Sequence, residues 1–255
     1  MNLIDTHCHL FLPEFDKDRD EAIQRGLKSG VKKFVLPNVD TSTMDDMISL
    51  TQEYPAYCFP LAGLHPSSVE EDYHNELSVI KTQLDSRKFW GIGEIGLDYY
   101  WDRTFEKEQI EALKTQLGWA LELNLPAIIH NRESFDDTIK IVEEVGAGQL
   151  KGIFHCFTGT IEQAEKIIEL GFSLGIGGIL TFKNSGLDQT LKNIPLEHLI
   201  LETDSPYLAP APKRGKRNEP AFLPYIANKL AEIKDLDIHQ IAEQTSHNAE
   251  QIFGI

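Results

Sequence analysis

The sequence is short of cysteine, of long apolar runs and of positive charge. Three cysteines (Cys8, Cys58 and Cys156) stand in 255 residues. That odd number, with no C-x-x-C pair, excludes a disulfide framework and a paired-cysteine zinc site, and leaves three reduced packing residues. No apolar stretch approaches the ~20 residues that cross a bilayer, and no basic segment followed by an apolar one opens the chain. The expectation is a cytoplasmic protein with no membrane partner. Lysine and arginine number 24 against 40 aspartates and glutamates, for a net charge of −16. Such a balance repels polyanions at long range and by itself counts against a nucleic-acid substrate. A glycine-rich phosphate loop is missing as well, because the first strand-like run leads into "HCHLFLPEFD" at residues 7–16.

What is present is a rhythm. Short apolar runs recur at residues 2–10, 31–39, 56–64, 89–97, 125–130, 150–157, 172–178 and 198–204. Segments of helical spacing lie between them, with Ala22, Ile23 and Leu27 on one face and Ile110, Leu113, Leu117 and Leu121 on another. Several end in glycine, as helices commonly do. Strand, helix and strand repeated in this way require parallel strands, since each return passes through a crossover helix. The runs are apolar on both faces, as strands covered on both sides are. Eight such units in ~250 residues match the size of a (β/α)₈ TIM barrel. We expect an α/β chain of this architecture, one domain over residues 1–255, with an extra helix at 237–253. An open, doubly wound sheet is the alternative, but it wants the glycine-rich loop that is absent.

Active sites of such barrels lie at the C-terminal ends of the strands, and the costly residues collect there. His7 and His9 end the first run, and His65 follows the third in "GLHP". Glu94 lies near the end of the fourth, His130 ends the fifth, His155 is near the end of the sixth, and Glu202 and Asp204 end the eighth. The other histidines, His74, His198, His239 and His247, fall in helices or turns. Strand alternation puts Asp5, His7 and His9 on one face, Ile128 with His130, Ile153 with His155, and Glu202 with Asp204. It turns Cys8, Cys156 and Thr203 the other way. Asp5 is placed either to orient the His7 ring or to cap a backbone group. Buried charges are very costly unless paired or bound to a cation. The cluster therefore reads as a site for two divalent metal ions. Imidazole and carboxylate donors suit Zn or Mn, and oxygen-rich positions also take Mg. Two cations about 3.5–4 Å apart need a bridging group, and Glu94 is central enough to supply one. The alternative, a set of separately satisfied core polar groups, requires an independent coincidence for each residue.

In order, "IDTHCHL", "GLHP", "GIGEIGLDYY", "IIHNRES", "FHCFTG", "GIGG", "LETDSPYLAP" and "RGKRNEP" resemble the TatD-type metal-dependent deoxyribonucleases of the amidohydrolase superfamily. The resemblance runs from residue 3 to about residue 220. It implies a TIM barrel that hydrolyses phosphodiester bonds in DNA with divalent metals. Carried over residue by residue, His7, His9, Glu94 and Asp204 would hold one metal, and Glu94, His130 and His155 the other. His65 and Glu202 match positions linked to substrate handling or activity, so both join Asp204 as candidate catalytic residues. Asn131 and Ser134 depart from the family pattern, which often has a smaller residue and an alanine there; the departure bears on substrate detail.

The mechanism expected of this set is attack by a metal-activated water, with Asp204 as general base. His65, Arg132 or Lys183 would donate to the phosphate. The basic stretch "KRGKR" places Lys213, Arg214, Lys216 and Arg217 after the last strand. There they would hold flanking phosphates against the adverse net charge. Tyr99, Tyr100, Trp101 and Tyr207 would stack on bases, which favours single strands and ends and hence an exonuclease. Two rivals differ in kind. A hydrolase of a small ester, amide or lactone on the same barrel would tolerate charge reversal at 213–217. A non-catalytic metal-bearing binding module would tolerate substitution of Asp204.

Overall fold

Each apolar run meets a strand; most strands are shorter than their runs, while the fourth and fifth reach past theirs to Asp98 and Arg132. The computed structural model describes residues 1–146 and 148–255. Its strands are β1 (Leu3–Asp5), β2 (Val31–Pro37), β3 (Cys58–Leu61), β4 (Ile92–Asp98), β5 (Ala127–Arg132), β6 (Gly152–Phe154), β7 (Phe172–Ile176) and β8 (Leu199–Leu201). The connecting helices are α1 (Arg19–Ser29), α2 (Thr41–Glu53), α3 (Tyr73–Ser86), α4 (Glu106–Leu123), α5 (Phe135–Gly146), α6 (Ile161–Glu169) and α7 (Leu187–Asn193). Two more, α8 (Leu223–Lys234) and α9 (Ile238–Phe253), follow the last strand. Asp40, Thr160 and Asp237 begin α2, α6 and α9 with reciprocal capping boxes, which satisfy orphan amides at each start.

All paired strands run parallel, in a sheet ordered β1-β2-β3 and a sheet ordered β4-β5-β6-β7-β8. Isolated parallel bridges, Ala62 with Ile92 and Cys8 with Ser205, join the sheets at both seams. A few backbone bonds cross at each seam, among them Gly93 N to Ala62 O (2.9 Å) and Trp90 N to Pro60 O (3.0 Å) at one, and Asp204 N to His7 O (2.8 Å) and His9 N to Ser205 O (2.7 Å) at the other. The result is a TIM-barrel ring whose seams lack continuous ladders.

Ile4, Val35, Phe59, Leu61, Ile128, Ile153 and Ile200, drawn from six strands, pack together as the barrel interior. Ala249 and Phe253 of α9 join them from below. Asn248 donates to Leu199 O, and Ser246 Oγ to Asn2 O, at the N-terminal ends of β8 and β1. The extra helix thus plugs the floor opposite the site. Phe253 is 6% exposed, and Phe253→Ala should cost about 3–5 kcal/mol. At 2–4 °C per kcal/mol for a chain of this size, thermal unfolding should start roughly 10 °C lower, with metal content unchanged.

Strict alternation does not hold through β1. Ile4 packs inside the barrel, whereas Leu3 and Cys8 pack in the outer layer. The chain bends at Thr6 and His7, which shifts the parity and separates Asp5 from the two histidines. Among the described residues, no helix is long and apolar enough to cross a membrane.

Candidate active site

The site is built around Glu94, 3% exposed, where the register of β4 against β5 shifts between Ile92 and Ile95. Glycine two residues on lets the strands close up. A Cβ at Gly96 would strike the carbonyl of His130, and its φ of 151° suits no other residue well. With the strands this close, Glu94 Oε1 lies 2.9 Å from His130 Nδ1, 3.0 Å from His155 Nε2 and 3.2 Å from His65 Nε2. Its other oxygen, Oε2, lies 3.0 Å from His7 Nε2 and 3.7 Å from His9 Nε2. One carboxylate thus presents a different oxygen to each of two imidazole groups. Asp204 Oδ1 completes the second group, 3.6 Å from His9 Nε2 and 3.9 Å from His7 Nε2.

Hydrogen bonds on the far edges of the rings fix what the near edges present. His9 Nδ1 faces the Pro37 carbonyl at 3.1 Å. A carbonyl only accepts, so Nδ1 carries the proton and Nε2 turns a lone pair inward. His130 Nε2 lies 2.9 Å from Asp98 Oδ2, which leaves the Nδ1 lone pair facing Glu94. His7 Nε2 and His9 Nε2 are 3.1 Å apart, and His7 Nδ1 has no partner. The inward lone pairs of His9 Nε2 and His130 Nδ1 face the Glu94 carboxylate at 3.7 and 2.9 Å and call for a positive charge among them. The donor set therefore fits divalent cations. His65 differs: its Nδ1 accepts from Ser67 N at 3.1 Å, so Nε2 carries the proton and acts as a donor.

Electrostatics follow from burial and proximity. Burial raises Glu94, but the surrounding histidines, His155 first, overcome it and hold the carboxyl well below the usual range. Burial drives His7 down, helped by the charge of His155. It also drives His65 down, keeping it neutral. Burial lowers His155 as well, yet Glu94 and Glu202 outweigh it and raise this ring well above an ordinary imidazole. Asp204 is held low by His9 and the neighbouring rings against burial.

The positions of the expected residues divide clearly. His9, His65, Glu94, His130, His155 and Asp204 line one open cavity of about 410 Å³, with Arg132, Trp101 and Tyr207 on its wall. Arg132 stacks on Tyr100 at 3.7 Å and reaches Trp101 at 5.3 Å. Glu202 sits behind His155, its Oε1 3.3 Å from His155 Nδ1 and accepting from Cys156 N at 2.6 Å. Gly175 leaves the space that the other Glu202 oxygen fills. The basic stretch does not line this cavity. Arg217 binds Asp18 at 2.6 and 2.9 Å, Arg214 covers the Phe182 ring, Lys213 lies over Phe222, and Lys216 is exposed. Lys183 is exposed as well. Tyr99, Asn131, Ser134 and Cys156 line a separate cavity of about 590 Å³ on the helix side of the strand ends.

Of the two roles open to Asp5, the structure shows the backbone cap: Asp5 accepts from the Thr203 amide and hydroxyl (2.9 and 2.6 Å) across the β1–β8 seam and does not touch the His7 ring. Burial pushes Asp5 up to about 7, with those hydrogen bonds opposing. Thr203 is accordingly fully buried. Cys156 follows the end of β6 with a positive φ of 50° and is half-buried at the second cavity rather than packed among the helices. Sequence reasoning also passed over Asp98, Gln109 and Gln116. Gln109 and Gln116 lie seven residues apart on α4. Gln109 bonds both backbone groups of Asp98, and Gln116 both of Leu64, just before His65. Alternation from Glu94 marks Asp98, but nothing local distinguishes the two glutamines from a solvated helix face.

The family described as TatD related DNase matches residues 4–254. The chain belongs to the TatD family. Among its relatives, the uncharacterized metal-dependent hydrolase YabD of Bacillus subtilis is 39% identical over 254 residues, 99% of each chain. Erwinia tasmaniensis TatD, named a 3'-5' ssDNA/RNA exonuclease, is 32% identical over 99% of this chain and 100% of its own. The crystal structure of YjjV, a TatD homolog from Escherichia coli K12, superposes with a TM-score of 0.93 at 29% identity, covering 99% of this chain and 98% of that one. This TatD-family protein is a metal-dependent hydrolase, and its histidine–carboxylate cluster suits divalent metal.

Proposed function

We propose that this TatD-family hydrolase is an exonuclease that cleaves phosphodiester bonds at the 3' end of single-stranded DNA or RNA, using two divalent cations. The observation that carries the reading is the division of Glu94, one oxygen toward His130 and His155 and the other toward His7 and His9. The polarity follows the name of the Erwinia relative. When bound, the cations supply positive charge to the phosphate and polarise the attacking water. His7, His9, Glu94 and Asp204 would hold one, and Glu94, His130 and His155 the other.

The chain's own groups do the remaining work. Asp204, held ionised, accepts the proton of the attacking water. The protonated Nε2 of His65 and the guanidinium of Arg132 donate to non-bridging phosphate oxygens. Glu202, with Oε1 3.3 Å from His155 Nδ1, puts negative charge behind that ring. A cavity of about 410 Å³ takes a terminal nucleotide but not a duplex. Trp101 and Tyr207, 72% and 50% exposed, offer faces to unstacked bases at its mouth. Arg214 and Lys216, exposed beyond β8, add positive charge for the flanking strand, and Arg217 anchors their loop to Asp18.

The test is digestion of end-labelled single strands with and without Mn²⁺ or Mg²⁺, beside Asp204→Asn. A metal-dependent ladder from the 3' end, absent in the variant, supports the reading. No cleavage by the folded, metal-loaded protein overturns it and moves the search to small esters, amides and lactones. Trp101→Ala should raise KM for an oligonucleotide about tenfold, from the 1–3 kcal/mol of one base stack. Its kcat on a small phosphodiester should not change. An unaltered KM removes Trp101 from the substrate path.

A further inference from the structure

We infer that Asp98 orients the neutral His130 ring and makes its Nδ1 lone pair more basic, so that the two cation positions hold metal with unequal strength. The inference rests on the two-cation reading above. Asp98 is 3% exposed, and among the described residues no lysine or arginine pairs with it. The side chain that its Oδ2 meets is His130, whose Nε2 lies 2.9 Å away. The carboxylate is itself held in place: Oδ1 accepts from Tyr100 N at 3.0 Å, and Gln109 bonds the Asp98 amide and carbonyl. With the Asp98 backbone held by Gln109 and Oδ1 held by Tyr100 N, Oδ2 is left aimed at His130 Nε2, so the His130 tautomer is set before any cation arrives.

The two ring groups are backed differently. Behind His130 stands Asp98, hydrogen-bonded to Nε2, and behind His155 stands Glu202, its Oε1 3.3 Å from Nδ1 in a charge contact without hydrogen-bond geometry. Behind His9 stands the neutral carbonyl of Pro37, and His7 Nδ1 makes no hydrogen bond and no contact with a carboxylate. A carboxylate behind a ligating imidazole raises its basicity and its hold on metal more than a carbonyl does. The position formed by Glu94, His130 and His155 is therefore the tighter one and loads first. The position at His7, His9 and Asp204 is the exchangeable one.

Mn²⁺ titration of the metal-stripped full chain, by calorimetry and by electron paramagnetic resonance, tests this. Wild type should bind two equivalents in two affinity classes. Asp98→Ala should weaken the tighter class 10- to 100-fold and leave the weaker unchanged. Asp98→Asn should fall between, because its amide oxygen still accepts from Nε2–H without the charge. If Asp98→Ala loses its far-ultraviolet circular dichroism, Asp98→Asn decides. Two unchanged classes, or equal weakening of both, overturns the role of Asp98 and reduces it to a cap on the turn at Tyr100. A single equivalent in wild type overturns the two-cation reading itself, so the two failures are distinct.

Discussion

Glu94→Gln should strip the protein of bound divalent metal and of activity while leaving it folded. Five imidazole nitrogens face this carboxylate, four of them between 2.9 and 3.2 Å. The amide offers one neutral oxygen, and its NH₂ would occupy the position where a lone pair is needed. Several kcal/mol of charge stabilisation are lost with the cations, which at 1.36 kcal/mol per decade is about three decades in rate or more. Metal content by mass spectrometry and initial rates on a labelled single strand check it. A variant with full metal and wild-type rate would remove Glu94 from the centre of the site. The metal-free protein adds a signed pH effect. His155 is raised mainly by Glu94, against burial. Its stabilising contribution is complete below the unfolded value near 6.5 and is lost as pH rises through the raised folded value. Glu94→Gln should flatten that dependence of urea midpoints above pH 6.5.

Asp204→Asn should lower kcat by about 10²–10⁴-fold, the usual worth of a general base, with KM changed little. The carboxylate is held low by His9 and its neighbours against burial. The acid limb of the wild-type pH profile should therefore lie below the ordinary carboxylate range and vanish in the variant. Asp204 also faces His7 and His9 as a metal donor, so the variant needs more Mn²⁺ to fill that position. Saturating Mn²⁺ should not restore kcat. Full rescue by metal alone would reduce Asp204 to a ligand, and a variant with unaltered cellular function would favour the non-catalytic binding module.

The sequence by itself determined the repeat, the parallel order and the identity of the costly residues. Hydrophobic periodicity is a local property, and eight apolar runs separated by helical spacing admit few closed arrangements. His7, His9, His65, Glu94, His130, His155 and Asp204 were legible because buried imidazoles and carboxylates at strand ends are expensive in any arrangement without a partner. Tertiary structure alone decided which edge of each ring faces inward and what stands behind it. Alternation failed where the backbone leaves the strand, at the bend of Thr6 and His7 and at the positive φ of Cys156 and Asp204. Asp5 went to the seam with Thr203, and Arg217 to Asp18, nearly two hundred residues away. Gln109 and Gln116 took hold of the backbone beside the site. Such partners are set by strand register and by closure of the ring. Residues far apart in the chain meet there through long-range geometry that no local period encodes.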